Sequence, residues 1–159
     1  TEDIKNRFMV QRAMLRTFLV VLLLISTFKL ELMSQNGQPP KNSLGQSLKS
    51  CCTDPITGYY RNGRCDTGPE DFGTHVVCAV MTSEFLEFTK SQGNYLSTAR
   101  PEYNFPGLKP GDKWCLCALR WKEAYQNDCA PQILLESTHE KALEFISLDV
   151  LRQFALDQE

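Results

Sequence analysis

The pattern of apolar and polar residues along the last two thirds of the chain predicts short strands and short helices. Runs rich in β-branched and apolar residues predict three buried strands, at 75–81, 113–118 and 132–137. Helical spacing of apolar residues and capping signals predict four short helices, at about 83–92, 119–126, 137–145 and from Ser147 onward. Thr82 and Ser147 are the predicted caps of the first and last helices, and Ser137 and Glu140 form a predicted capping box for the third. These elements predict an α+β domain, with a small sheet of about three to five strands covered by about four short helices.

Turn-forming residues dominate residues 49–71, ahead of the first predicted strand. Asp54-Pro55 is a turn signal, and Asn62-Gly63 suits a two-residue hairpin turn. We therefore predict a turn-rich N-terminal hairpin segment whose short strands are residues 59–61 and 64–65.

A separate hydrophobic stretch lies within residues 1–33. Residues 18–25 form an unbroken apolar run, with Arg12 and Arg16 before it and Lys29 after it. A basic flank before a short apolar run is typical of a secretory signal, although spanning a bilayer takes about 20 residues. We interpret residues 1–33 as an extension that is an anchor, a signal or non-native translation. Membrane contact is expected only through residues 17–28, if these are retained.

A polar stretch at 34–42 predicts a linker, and residues 43–157 are expected to form a single globular domain. From Lys41 onward there are 12 Lys/Arg and 16 Asp/Glu, so this part carries 12 − 16 = −4. An acidic domain lacking a basic stripe argues against nucleic acid as a partner, because phosphate neutralisation supplies much of that affinity. The expected localisation of the domain is cytoplasmic, or membrane-anchored or exported if residues 1–32 are native.

Seven cysteines are a high count for this length, and the number is odd. In a cytoplasmic chain we expect reduced thiols, several of them buried as small apolar groups. Their spacing matches no common zinc signature. The cysteines are Cys51, Cys52, Cys65, Cys78, Cys115, Cys117 and Cys129.

The turn-rich segment concentrates thiols, carboxylates and an imidazole, all of which bind metals once deprotonated. With Arg100 and His139 from later segments, it forms the predicted ligand-binding site. The site residues are Cys51, Asp54, Cys65, Asp66, Glu70, Asp71, His75, Arg100 and His139. The candidate ligands of a transition metal are Cys51, Cys65, His75 and His139. The alternative is that Asp54 and Asp66 are turn and cap residues, and that Cys78 packs in the core.

Three further segments carry candidate chemistry. Cys115 and Cys117 share one face of a predicted strand, so they are either a redox or metal pair or, as we favour, core residues. His139 lies near a helix start, where the positive end of the helix favours a neutral ring. The loop at 97–107 offers aromatics, hydroxyls and Arg100, and either lines a binding groove or wraps the sheet.

Several enzyme classes are disfavoured by missing motifs. The sequence has no serine elbow, Walker loop, Rossmann glycine fingerprint or zincin helix motif. Nucleotide hydrolysis and zincin chemistry are therefore not expected.

Long stretches of the chain resemble one bacterial family. They are CCTDPITGYYRNGRCDTGPEDFGTHVVCAVMTSEFLEF at 51–88, GNYLSTARPEYNFPGLKPGDKWCLCALRWKEA at 93–124 and LLESTHEKALEFISLDVL at 134–151. Together they are similar to the proteins catalogued as domain of unknown function 2237. The resemblance covers about Lys41 to Phe154 and implies a stand-alone small domain, with no assigned activity. This chain has Arg64-Cys65 where relatives often have adjacent cysteines, and Cys51-Cys52-Thr53-Asp54 where they often have Cys-Ser-Thr-Asp.

The leading interpretation is a small soluble domain that binds a small ligand or a metal through the turn-rich segment and His139. The first alternative is an enzyme with a cysteine nucleophile and with His75 or His139 as base. The second alternative is a structural or interaction protein without pocket chemistry.

Overall fold

The computed structural model describes Leu19, Val21, Leu22 and residues 39–157. The chain divides into two units, Thr1–Gln38 and Pro39–Glu159. In the first unit, the three described residues are helical and about half exposed. The rest of the predicted extension, and residues 34–38 of the predicted linker, lie outside the described residues. Among the helices formed by described residues, none combines the length and apolarity needed to cross a bilayer.

The second unit is built on a two-stranded antiparallel sheet. Strand β1 spans His75–Val80 and strand β2 spans Lys113–Cys117, close to the predicted bounds. The central residues of both strands are buried, as their apolar composition predicts. Cys78 lies opposite Cys115 and His75 lies opposite Cys117, with a bulge in the register between His75 and Val77.

Three α-helices pack around this sheet. Helix α1 spans Ser83–Ser91, and the Thr82 hydroxyl caps it by accepting from the Phe85 amide. Helix α2 spans Ala118–Gln126 and follows β2 directly. Helix α3 spans Leu148–Gln153, and Ser147 caps it as predicted. Three short 3₁₀ helices span Pro101–Tyr103, Leu135–Ser137 and Glu140–Glu144.

The sheet of three to five strands predicted from sequence is wrong in strand number. Only Ile133 of the predicted strand 132–137 forms bridges, one with Ala79 and one with Ala155. The chain then turns into a 3₁₀ helix, because the Asp157 carboxylate accepts from the amides of Leu135 and Glu136 at 2.8 and 2.9 Å. A distant side chain thus ends the extended segment.

The predicted hairpin within the turn-rich segment also differs from the structure. Residues 59–61 and 64–65 form no ladder with each other. Instead the Gly63 carbonyl accepts from the amides of Cys51 and Cys52, and the Gly63 amide donates to the Thr57 carbonyl. The segment therefore folds back on its own beginning.

The predicted capping box at Ser137 and Glu140 is also absent. The Ser137 hydroxyl donates to the Ser50 carbonyl at 2.8 Å. The His139 ring caps the following 3₁₀ helix by accepting from the Lys141 amide. The helix predicted at 137–145 is therefore not formed: Ser137 ends one 3₁₀ helix and Glu140–Glu144 forms the next, because the Ser137 hydroxyl is engaged by the turn-rich segment.

The core divides into two clusters of buried residues. The larger one surrounds Trp121, whose indole N–H donates to the Pro131 carbonyl at 3.0 Å, and includes Phe85, Met81 and Ile133. The smaller one lies at the junction of the turn-rich segment and the sheet. It consists of Cys51, Cys65, Cys78 and Cys115, and we call it the four-cysteine cluster.

Candidate functional site

An open cavity of about 420 Å³ lies between the turn-rich segment and the loop that precedes β2. The turn-rich segment contributes one wall, the loop contributes the opposite wall, and the sheet contributes the floor. We call it the main cavity; its lining residues are Gly58, Tyr59, Arg61, His75, Leu96, Arg100, Tyr103, Phe105, Trp114 and Cys115.

The loop wall is held by local backbone hydrogen bonds. Arg100 and Phe105 exchange backbone hydrogen bonds of 2.7 and 3.1 Å around the 3₁₀ helix, and the Leu108 amide donates to the Leu96 carbonyl at 2.8 Å. These bonds hold Arg100, Tyr103 and Phe105 along the cavity. The loop predicted at 97–107 therefore lines an open cavity.

His75 is held in place by Asp71. The Asp71 carboxylate is buried, and one oxygen lies 2.6 Å from His75 Nδ1. Its other oxygen accepts from the His75 amide at 2.8 Å and from the Thr67 hydroxyl at 3.1 Å. Because Nδ1 is engaged by Asp71, Nε2 is the ring nitrogen left to meet a ligand.

The electrostatic setting of Asp71 favours its ionised form. Burial by itself raises the pKa of Asp71, but hydrogen bonds from the backbone and ring of His75 and from Thr67 outweigh burial and lower the pKa. A carboxylate that stays charged is an acceptor for the Nδ1 proton of His75. Gly73 makes room for this pair, because a Cβ there would collide with the His75 ring.

Two guanidinium groups border the main cavity. The Arg61 guanidinium lies 5.1 Å from the centroid of the Trp114 ring, and the Phe105 ring packs against Trp114 at 5.2 Å. Arg100 is half exposed, with one guanidinium nitrogen 3.8 Å from a Glu102 carboxylate oxygen. Tyr59 stacks over the His75 ring with an interplanar angle of 17°. The lining of the main cavity thus combines aromatic rings with positively charged side chains.

The four-cysteine cluster is cross-linked as two disulfides, Cys51–Cys78 and Cys65–Cys115. Four of the seven cysteines are therefore paired, which differs from the reduced state predicted from sequence. Spacing alone does not identify these pairs, since the partners are 27 and 50 residues apart. The sulfurs of Cys51, Cys65 and Cys78 lie within 4.8 Å of one another, so their thiol forms could hold a metal.

The remaining cysteines are unpaired. Cys129 is buried, and burial raises the pKa of its thiol. Cys52 and Cys117 are half-buried. Cys117 does not pair with Cys115, which is bonded to Cys65 instead.

The predicted metal ligands separate into different parts of the unit. Cys51 and Cys65 meet in the four-cysteine cluster, whereas His75 lines the main cavity. Among the described residues, Cys51, Cys65 and Cys78 are the one group of three or more such donors within 4.8 Å of each other. His139 lies outside that group and does not line the main cavity.

His139 has a structural role at its helix end. Its amide donates to the Val76 carbonyl at 2.9 Å, and its Nδ1 accepts from the Lys141 amide at 3.0 Å. Burial lowers the pKa of His139, so the neutral ring is favoured.

The other predicted site residues lie around these features. Asp54 is exposed and lines a second cavity of about 460 Å³. One Asp66 oxygen accepts from the Asn62 amide group at 2.7 Å, as expected of a turn residue. The other is buried without a hydrogen bond, although Arg64 Nε lies 3.5 Å away. The Glu70 side chain is exposed.

Sequence reasoning missed several cavity residues. Tyr59 and Arg61 were predicted as strand residues. Trp114 was predicted as core and is buried in the larger core cluster, but it also lines the cavity. A signal for Tyr59 and Arg61 was the run of two aromatic residues and one arginine, Tyr59-Tyr60-Arg61, between turn glycines. No spacing rule could have paired this stretch with Trp114, which is more than fifty residues away.

Residues 41–155 match the family described as "Uncharacterized protein conserved in bacteria", domain of unknown function 2237. No curated protein matches the chain. The family match covers the unit that contains both the main cavity and the four-cysteine cluster.

Proposed function

The chain belongs to this family of uncharacterised bacterial proteins, and we propose that its domain binds a small molecule with a flat apolar part and an anionic group. The observation that carries the proposal is the main cavity, where Arg61, Arg100 and His75 border an aromatic wall. A pocket with apolar surface and a few convergent polar groups is typical of a small-ligand site.

Charge favours an anionic ligand. The main cavity is lined by two arginines and a histidine, and none of its lining residues is a carboxylate. The domain as a whole carries 12 − 16 = −4 from Lys41 onward, so this positive wall is a local exception. A carboxylate or phosphate placed between Arg61 and Arg100 would form charge-assisted hydrogen bonds.

Shape favours a flat ligand. Tyr59 supplies a partly exposed aromatic face, whereas Trp114 and Phe105, each 9% exposed, border the cavity with only part of their rings, and the Arg61 guanidinium lies near the Trp114 ring. A planar ring can lie against such surfaces with little loss of side-chain freedom. His75, fixed by Asp71, adds one directional hydrogen bond at Nε2.

The test compares naphthoate with its uncharged counterpart, naphthamide, on the full chain. Binding is followed by NMR at the indole N–H of Trp114. Naphthoate is expected to bind more tightly, and the variants Arg61→Gln and Arg100→Gln should each weaken it about tenfold. Arg120→Gln is the control, since Arg120 pairs with Glu123 on α2 away from the cavity. Equal affinity for the two probes, or no binding of either, would refute the proposal.

A second candidate function is catalysis by a cysteine nucleophile, and the sheet register favours Cys117. His75 and Cys117 are opposite each other in the sheet, next to the bulge between His75 and Val77. Cys117 is an unpaired thiol, and Asp71 orients His75. In this arrangement His75 would take the Cys117 thiol proton, with Asp71 stabilising the charged ring.

Alkylation by iodoacetamide tests the catalytic candidate. Cys117 should react faster than Cys52, and His75→Asn should slow Cys117 alone. Equal rates for the two thiols, unchanged in His75→Asn, would exclude the pair.

A further inference from the structure

Four sulfur atoms meet where the turn-rich segment crosses the sheet. Cys51 and Cys65 come from the turn-rich segment, Cys78 from β1 and Cys115 from β2. Their exposed fractions are 6%, 0%, 0% and 1%, so water is nearly excluded. The partly buried hydrophobic side chain that packs against the cluster is Leu134.

The spacing of the sulfurs suits one tetrahedral ion. Around Zn²⁺ with bonds of about 2.3 Å, thiolate sulfurs lie about 3.8 Å apart. Three of the cluster sulfurs already lie within 4.8 Å of one another, and Cys115 is bonded to Cys65. Opening the two disulfides would let the bonded sulfurs separate to the zinc spacing, and Cys115, which lies more than 4.8 Å from at least one of the other three, would move inward to complete the tetrahedron.

Backbone contacts other than the disulfides also position three of the four residues, Cys51, Cys78 and Cys115. The Cys51 amide donates to the Gly63 carbonyl at 2.7 Å, which ties the two ends of the segment. The Cys115 amide donates to the Thr57 hydroxyl at 2.8 Å, which ties the segment to β2. Cys78 and Cys115 are opposite each other in the sheet. A reduced chain would therefore still hold these three thiols close together.

We propose that the four-cysteine cluster, when reduced, is a tetrathiolate site for Zn²⁺. Each disulfide takes two electrons and two protons from one dithiol reductant, which is itself oxidised to a disulfide. Zn²⁺ then replaces the four thiol protons. A low-molecular-weight disulfide reverses the exchange, because two such molecules accept four electrons, reform both cross-links and release the ion.

Ligand chemistry favours zinc over harder ions. Thiolates are soft ligands, and the cluster offers sulfur alone, without a carboxylate or imidazole in the group. Four thiolates and Zn²⁺ carry a net charge of −2. The cluster meets the main cavity at Cys115, and Arg61 and Arg100 supply positive charge among the other lining residues of that cavity.

The test measures zinc in the full chain after anaerobic reduction with a phosphine, TCEP. After incubation with ZnCl₂ and dialysis, we expect about one Zn²⁺ per chain by mass spectrometry of the metal. Co²⁺ in place of Zn²⁺ should give the sulfur charge-transfer and visible bands of a tetrahedral thiolate site. Oxidised glutathione should release the ion while four thiols are lost.

Alkylation mapping identifies the ligands without any substitution. Zinc should protect Cys51, Cys65, Cys78 and Cys115 in the reduced chain, and Cys52 should stay reactive. The variants Cys78→Ser and Cys115→Ser should lose the ion, whereas the controls Cys52→Ser and Cys129→Ser should keep it. Less than about a tenth of an equivalent of zinc in a chain with seven proven thiols would overturn the proposal, as would protection of other cysteines.

Discussion

At the residue scale, Asp71 is the side chain whose removal should have the largest local effect. It is buried, and it accepts three hydrogen bonds, from the ring and amide of His75 and from Thr67. Losing a charged acceptor leaves those donors unsatisfied, which costs more than the bonds themselves contribute. Asp71 therefore contributes to the stability of the fold and also orients His75, which lines the main cavity.

We expect Asp71→Asn to lower the free energy of unfolding by about 1–3 kcal/mol at neutral pH. The pKa of Asp71 is lowered in the folded state, so its contribution is present above the unfolded value of 3.8 and is lost as pH falls through the folded pKa. The difference in free energy of unfolding between the variant and the parent protein should therefore become smaller in acid. Urea unfolding across this pH range measures it, with exposed Asp54→Asn as the control. A gap that widens in acid would contradict the assignment.

His139 should produce a protonation effect of the same sign as Asp71, but nearer to neutral pH. Burial lowers its folded pKa below 6.5, and the neutral ring accepts from the Lys141 amide. The folded state thus binds this proton less well than the unfolded chain. The contribution of neutral His139 to the free energy of unfolding is therefore complete above pH 6.5 and is lost as pH falls through the lower folded pKa. His139→Asn keeps an acceptor without a charge, and should flatten the stability loss between about pH 7 and pH 5. An equal pH dependence of the free energy of unfolding in the parent and in His139→Asn would contradict this prediction.

At the element scale, the sequence predicted the strands and helix caps that depend on residues close together in the chain. The strands around Val77 and Leu116 were predictable because apolar runs of this length are buried on both faces. The caps of α1 and α3 were predictable because Thr82 and Ser147 bond amides three residues away. These elements supply the floor of the site, including His75.

Other elements depend on partners that are distant in sequence. Residues 132–137 have a strand pattern, but Asp157 captures two of their amides and turns the chain. The turn-rich segment bonds to its own beginning through Gly63. For the same reason, the sequence could name Asp71, His75 and Arg100 as candidates, but it could not show that His75 and Arg100 line one cavity with Trp114.

We expect Asp157→Ala to destabilise the domain by about 1 kcal/mol, because two amides of the 3₁₀ helix at Leu135–Ser137 lose their acceptor. For a domain of this size the melting temperature should fall by roughly 4 °C. Glu87→Ala, at an exposed position of α1, serves as the control. Melting temperatures that fall equally in both variants would show that Asp157 has no special role.

At the scale of the whole molecule, the two disulfides join the cavity wall to the sheet. The segment between Cys51 and Cys65 contributes Gly58, Tyr59 and Arg61 to the main cavity, and both of its ends are cross-linked to neighbouring strands. Cross-links that close loops of 27 and 50 residues stabilise mainly by restricting the unfolded chain. The fold and the shape of the site are therefore both coupled to the oxidation state.

Reduction without added metal should lower the free energy of unfolding by at least about 3 kcal/mol, since two loop closures are lost. It should also weaken naphthoate binding, because the wall carrying Arg61 then depends on hydrogen bonds alone. Urea unfolding with and without TCEP measures the first effect, with Cys52→Ser as a control against disulfide exchange. If the cluster binds zinc, saturating Zn²⁺ should restore much of the lost stability, because an ion bound only to the folded state shifts the equilibrium toward it. An unchanged urea midpoint after proven reduction would mean that the cross-links do not hold the segment in place.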